Sequence, residues 1–448
     1  MSARAVVIGS GVNELVAAHL LARAGHPVVL VPEGFSAEIC GWIAPRIVRE
    51  LDLQRHGLQV EQDDPWATAP LSGGGRLELW QDLSRSVDSI RRLSENDAAR
   101  WPEFCERMAR LARFLEKSYT RAPESPLNLG FAWRARRLGR QGLTDLMRVL
   151  PMPAADLLDD WFESDALKGA LGAAAIMRLP QGPRSGGTAF RLLHQQVGSP
   201  AGVFRPPRSN LQKVLFALPG IEILRAKAVS RIAVQAGCVA SVVLADGEEI
   251  AASLVVSGAS VRRTLVDLVD SGWLDPELVR AVRNIRHRSV AARMSLQLDR
   301  APGFSTLVLA PSLDYLERAY DHLKYGRISA QPFLEARCSP DNCIEVNVQF
   351  VPPAARDAGA LAGAVMQLLS PHLGGAAVTQ QEMLLPRDLE APAELSLDQA
   401  LWMRPIPQLA RYRTPIGGLW LCGASMHPGD GIAGAAGYNC AGEILRSR

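Results

Sequence analysis

Apolar residues along this chain change period several times, and each change predicts a different element. Near the start, Ala5 to Ile8 and Pro27 to Val31 are short, nearly continuous apolar runs, and the stretch from Asn13 to Ala24 between them has helical spacing. Runs apolar throughout suit strands buried on both faces, and the strand–helix–strand order predicts the beginning of a parallel βαβ sheet. Residues 84 to 122 are polar and helical, with Trp101, Phe104, Met108, Leu111 and Phe114 recurring at three- and four-residue intervals. That spacing puts all five on one buried stripe and predicts a helical layer.

The period falls to two further on. Short β-rich runs from Glu222 to Leu224, Val229 to Gln235, Val239 to Leu244 and Ile250 to Ser257 are separated by the turn signals "AGC" and "ADGEE", which predicts a small meander. In "ARMSLQLD", Met294, Leu296 and Leu298 oppose Arg293, Ser295 and Gln297; in "CIEVNVQFV", Ile344, Val346, Val348 and Phe350 oppose Glu345, Asn347 and Gln349. Such alternation predicts an antiparallel sheet with one covered face. The chain closes on a strand from Leu419 to Cys422, a glycine-rich turn and a small-residue helix from about Gly434.

Composition narrows the class. The 448 residues exceed what one core usually holds, so two domains, interleaved in sequence, are expected. With 21% charged residues and a formal net charge of +3, nothing demands a nucleic-acid partner. Met1 runs almost directly into the first strand, which leaves no room for a secretory leader and predicts a cytoplasmic protein. No run of eighteen apolar residues occurs, because Lys168, Arg178 or Gly/Pro clusters interrupt each candidate. Cys40, Cys105, Cys238, Cys338, Cys343, Cys422 and Cys440 form no C-x-x-C pair, which suits reduced, structural thiols. Between residues 131 and 150, Arg134, Arg136, Arg137, Arg140 and Arg148 alternate with Trp133, Leu138, Leu143, Leu146, Met147 and Leu150. This basic amphipathic pattern suits either a solvated face beside a pocket or peripheral contact with an anionic membrane.

Two turns carry candidate chemistry. In "VVIGSGVNELVAAHLLARAGHPVVLVPEG", Gly9 and Gly11 supply the bare backbone that a dinucleotide turn needs, and the helix after them directs N–H groups at a pyrophosphate. The third glycine is replaced by Glu14, and Pro32 stands where an acidic residue should end the second strand, so that Glu33 takes the ribose only if the strand end shifts by one residue. The second turn, "GASMHPGDGIAGAAGYN" after Cys422, offers successive N–H groups and a helix N-terminus for an electron-rich ring edge.

"LCGASMHPGDGIAGAAGYNCAGEIL" resembles the closing FAD motif of the phytoene-desaturase-like, carotenoid-oxidoreductase-related NAD(P)/FAD-dependent oxidoreductases, and the opening stretch resembles their first one. "RIVRELDLQRHGLQV", "DLLDDWFESDALKGAL", "GGTAFRLLHQQVG", "LADGEEIAASLVVSGASVRRTLVDLV" and "SVAARMSLQLDRAPGF" extend the similarity over most of the chain. The resemblance implies an α/β fold: a Rossmann-like FAD-binding domain (1–85, 200–288, 405–448) interleaved with an α+β substrate domain (86–199, 289–404) of helices over an antiparallel sheet. It implies FAD at Gly9, Gly11, Glu33, Val229 (through its backbone), Gly423, Asp430, Gly431 and Ile432. The expected activity is desaturation, dehydrogenation or redox-neutral isomerisation of an apolar small molecule.

Departures gather around that one ligand. Besides Glu14 and Pro32, the family's paired glycines after the second strand are missing from "EGFSAEICGWIAPRIVREL", and a second glycine pair reads Ser209 and Asn210. A flavin-free homologue, serving as a binding protein or as a partner to a modifying enzyme, or catalysing non-redox chemistry, is therefore the alternative. His427 is the candidate acid or base, weighed against a turn histidine bonded to backbone. Asp156, Asp159 and Asp160 read as helix capping and solvation rather than a metal site. Tyr438 and Asn439 stand as supporting residues behind the turn.

Overall fold

The structure is a computed structural model describing residues 4–33, 39–123, 136–224, 227–389 and 392–447. Strand β1 (Ala5–Ile8), helix α1 (Val12–Arg23) and strand β2 (Val28–Val31) open the chain. Strand β1 lies at the centre of a five-stranded parallel sheet, flanked by β2 and Leu254–Ser257, with Glu222–Ile223 and Leu419–Leu421 at the edges. All four β1 residues are fully buried, which is why the strand is apolar throughout rather than alternating. Helix α1 packs closely on the closing helix Ala435–Arg446, because a Cβ on Gly437 would lie 1.8 Å from the Asn13 carbonyl oxygen. The expected meander is present as Val229–Gln235, Cys238–Leu244 and Glu249–Ala251, paired antiparallel.

A second sheet has seven strands, in the order Val378–Leu384, Ala291–Leu298, Cys343–Gln349, Leu334–Cys338, Thr306–Leu309, Ala67–Pro70 and Arg76–Leu79. Its pairs are antiparallel except at Leu307 and Thr68. The period-two pattern does what it predicts: Met294, Leu296, Ile344 and Val346 are buried, while Arg293 and Glu345 keep partial exposure. Residues 67–79 pair into this sheet, although the sequence pattern groups them with the first domain.

The helical layer follows from the stripe on Glu95–Tyr119, where Trp101, Phe104, Met108, Leu111 and Phe114 are all buried. Ser94 starts that helix by accepting from the Asp97 N–H at 3.0 Å. Asp165–Ile176 and Thr188–Gln195 complete the layer. The apolar core around the parallel sheet draws on early, middle and late stretches of chain, so a Rossmann-like domain is interleaved with an α+β one.

Candidate functional site

Gly9 sits at the end of β1 with φ of 114°, a conformation that only glycine adopts readily. The chain turns there into α1 and brings Gly9, Gly11 and Gly258 around one hollow. The Glu14 side chain lies in it. A Cβ would stand 2.5 Å from Glu14 Oε2 if built on Gly11, 1.9 Å from Oε1 on Gly258, and 2.9 Å from Cγ on Gly9. Glu14 is only 5% exposed although it begins a helix, so its side chain folds back over its own turn. Gly423 closes the far side, since a Cβ there would meet the Gly258 carbonyl at 2.2 Å.

The position where an adenosine would rest is likewise closed by hydrogen bonds within the chain. Pro32 ends β2, and Glu33 directly after it turns inward: Oε1 accepts from the Val229 N–H at 2.6 Å. Arg263 donates to both Glu33 oxygens at 3.2 Å and to the Val229 carbonyl at 3.3 Å. Both backbone groups carried over as adenine contacts thus have partners. Arg263 is a residue that motif reading missed; its place in "SVRRTLV" gives no local sign of its role.

The closing turn forms a third cluster. Asp430 receives Arg178 Nη1 at 3.4 Å and Arg191 Nη2 at 3.3 Å. Burial alone would raise the Asp430 carboxyl, but the two guanidiniums outweigh it and hold it at about 2. Gln349, buried at the end of its strand, accepts from the Arg178 N–H at 3.1 Å and so fixes that turn. His194 Nε2 donates to the Asp430 carbonyl at 2.6 Å, while Nδ1 accepts from Tyr119 Oη at 2.8 Å. That tautomer suits a neutral ring, and burial, reinforced by Arg191, holds His194 at about 3. Trp42 donates its N–H to the Gly431 carbonyl at 2.9 Å, and Trp42–Ile43 pairs with Ile432–Ala433. Trp42 and Ile43 are thereby held against the closing turn.

A cavity of about 90 Å³ opens beside this cluster, lined among others by Arg178, Arg191, Asp430, Gly431, Glu345 and Asn347. Its wall mixes charged side chains with the apolar surface of Met177 and Pro206. Arg205 and Glu335 form a buried two-pronged pair at 2.6 and 2.5 Å, and Arg337 reaches Asp63 at 2.6 Å.

Of the remaining candidates, His427 and Asn439 lie behind the third cluster against Tyr119, and the others sit elsewhere. His427 is buried, Nε2 lies 3.4 Å from the Ser118 carbonyl, and burial holds it at about 4, so it is neutral at pH 7. Asn439 donates to the Tyr119 carbonyl at 2.9 Å, and Tyr438 Oη donates to Glu50 at 2.7 Å. Asn210 ties a loop by accepting from the Gln59 N–H at 2.8 Å and donating to the Gly57 carbonyl at 3.0 Å. Asp159 and Asp160 pair with Lys168 at 2.7 Å and Arg148 at 2.6 Å. Residues 131–135 of the basic segment lie outside the described residues; in Gly139–Val149, Leu146 and Val149 are buried while Leu143 and Met147 are exposed. Among the described residues, no helix is long and apolar enough to cross a membrane.

A dinucleotide laid along this route would meet the Glu14 carboxylate at its phosphates, the Glu33–Arg263 pair at its adenine end and the Asp430–arginine cluster at its ring. As placed, the glycine-turn end does not fit FAD: the Val229 N–H and carbonyl have partners within the chain, and Glu14 fills the hollow between the glycines.

No family model matches the chain. It is 28% identical to the rat pyridine nucleotide-disulfide oxidoreductase domain-containing protein 2, over 99% of this chain and 93% of that protein. That alignment runs over 543 positions against 448 residues here, so the relative carries segments that this chain lacks. It is 24% identical to a limonene dehydrogenase component of Castellaniella defragrans, over 98% and 94% of the two chains. Among solved structures, putrescine oxidase bound to putrescine matches with a TM-score of 0.63 at 13% identity, covering 100% of this chain and 99% of that one. Cyclohexylamine oxidase from Brevibacterium oxydans matches with 0.58 at 13% identity, again over 100% and 99%. The names bear on the oxidoreductase part of the resemblance, and phytoene desaturase in particular rests on the motifs alone. Relatives and structural neighbours alike are oxidoreductases, and the chain shares the neighbours' two-domain fold from end to end.

Proposed function

We propose that this chain is an oxidoreductase homologue that works without resident FAD, as a protein that binds a small molecule beside Gly431. The observation that carries the reading is the Glu14 side chain, which lies in the hollow between Gly9, Gly11 and Gly258. Two like charges 4 Å apart repel by about 4 kcal/mol at an effective dielectric of ~20, roughly a thousandfold in affinity. The Glu33–Arg263–Val229 hydrogen bonds act in the same direction, because adenine would have to replace them.

A second reading is favoured by the similarity to an oxidoreductase over 99% of the chain. In it the protein is an FAD-dependent desaturase, dehydrogenase or isomerase of an apolar molecule, and Glu14 leaves the hollow to admit the cofactor. The absorption spectrum of the purified protein separates the two, taken before and after excess FAD and gel filtration. A colourless protein whose melting temperature ignores FAD is expected. Flavin bands near ~370 and ~450 nm that travel with the protein would overturn the proposal.

A further inference from the structure

We propose that an outer groove of the chain binds a phosphate group carrying two negative charges, held by Arg46, Arg121, Arg411 and Arg446. The groove runs between α1, the helix Pro45–Glu50, the end of the helix Glu95–Tyr119 and the closing helix, and all four arginines line it. Gly9, Gly11, Glu14, Gly258 and Gly431 do not, so the site stands apart from the flavin question.

The first observation is how the groove's carboxylates are engaged. Glu443 accepts from Arg411 Nε at 3.3 Å and Nη2 at 2.8 Å, and also from Arg446. Its side chain is 13% exposed against 66% and 67% for the two arginines, so the carboxylate lies on the floor and the guanidiniums stand above it. One negative charge thereby fixes two positive ones side by side, and an incoming anion meets the cations first. Guanidiniums held in place beforehand lose less freedom on binding. Glu50, the other acid of the wall, accepts from Tyr438 Oη at 2.7 Å.

The second observation is the excess of cations. Arg46 stands beside that phenol, and Arg121 follows the helix Glu95–Tyr119; both residues are exposed, and neither pairs with a carboxylate among the described residues. Four guanidiniums against two engaged carboxylates leave donors for an anion with several oxygens and more than one charge. A terminal phosphate has three acceptor oxygens and a charge of about −1.5 to −2 at neutral pH. Arginine forks match it in two-pronged fashion. Acetate or a phosphodiester brings a single charge, and the internal phosphates of FAD are of that second kind.

The experiment is calorimetric titration with melting-temperature shifts on the full chain, using sodium phosphate, methyl phosphate, dimethyl phosphate and acetate at one ionic strength. Phosphate and methyl phosphate should bind and raise the melting temperature, with dimethyl phosphate and acetate at least about tenfold weaker. Arg46→Gln and Arg121→Gln, both at exposed positions, should each weaken methyl phosphate about tenfold. Arg92→Gln, exposed and outside the groove, should leave it unchanged. Sedimentation with phosphatidylcholine vesicles, with and without phosphatidate, tells the two sources of such a group apart. Retention on the phosphatidate vesicles that Arg121→Gln abolishes assigns the group to a lipid, and free passage assigns it to a soluble ester. Methyl phosphate binding that is absent, matched by dimethyl phosphate, or as sensitive to Arg92→Gln as to the groove variants would overturn the proposal.

Discussion

The glycine-turn groove and the cavity beside Gly431 treat their polar groups in opposite ways. In the groove, the Val229 N–H and carbonyl already have partners in Glu33 and Arg263, and Glu14 fills the hollow between three glycines. Beside Gly431, Arg191 is buried as deeply, yet two of its nitrogens have none. Buried polar groups are nearly always satisfied, so each exception calls for a physical account.

That contrast can be broken from either side. The largest effect is expected at the cavity wall: Glu335→Gln leaves Arg205 buried and uncompensated and should cost about 3–5 kcal/mol of stability in urea unfolding. A loss below about 1 kcal/mol would mean that the pair is no stronger than an exposed one and that the wall is not a charged scaffold. On the groove side, Glu14→Gly should create FAD binding where the parent has none, gaining up to about 4 kcal/mol, with flavin absorbance co-eluting in gel filtration. Glu14→Gln, which keeps the bulk and removes the charge, should recover less; no binding in either variant would shift the blame to Glu33 and Arg263.

The histidines sharpen the comparison through pH. Burial holds His194 at about 3 and His427 at about 4, against about 6.5 in an unfolded chain. Both are neutral in the fold, so the stability they contribute is complete above pH 6.5 and is lost as pH falls from there towards their folded values. Unfolding followed from pH 7.5 to 5 should therefore show weakening on the order of a few kcal/mol, reduced in His194→Gln. A flat profile would show that these rings are not held neutral. The smallest effect is expected from restoring glycine at Asn210: Asn210→Gly should cost about 1 kcal/mol through the lost loop hydrogen bonds and leave FAD binding unchanged.

Much of the fold was legible. Continuous apolar runs marked the buried parallel strands, period-two runs marked the antiparallel sheet, and the Trp101 to Phe114 stripe marked a buried helix face. Burial on one or two sides writes itself into local periodicity. The pairing of Ala67–Pro70 with Thr306–Leu309, far along the chain, has no sign in local spacing. Of the candidate site, Glu14 and Pro32 stood out against the motif pattern, and Glu33 was named although its partner was not.

By itself, the sequence determined the succession of parallel-strand, helical and antiparallel stretches and the anomaly at the first turn, since both rest on spacing among near neighbours. Only the tertiary structure decided what the anomaly does. Arg263 meets Glu33 across 230 positions, and Arg191 and Arg178 meet Asp430 across 239 and 252. An arginine on a helix or loop looks alike in sequence whether it is solvated, paired or buried with donors to spare. The difference is fixed by the carboxylate that the fold brings beside it and by the water that the fold removes.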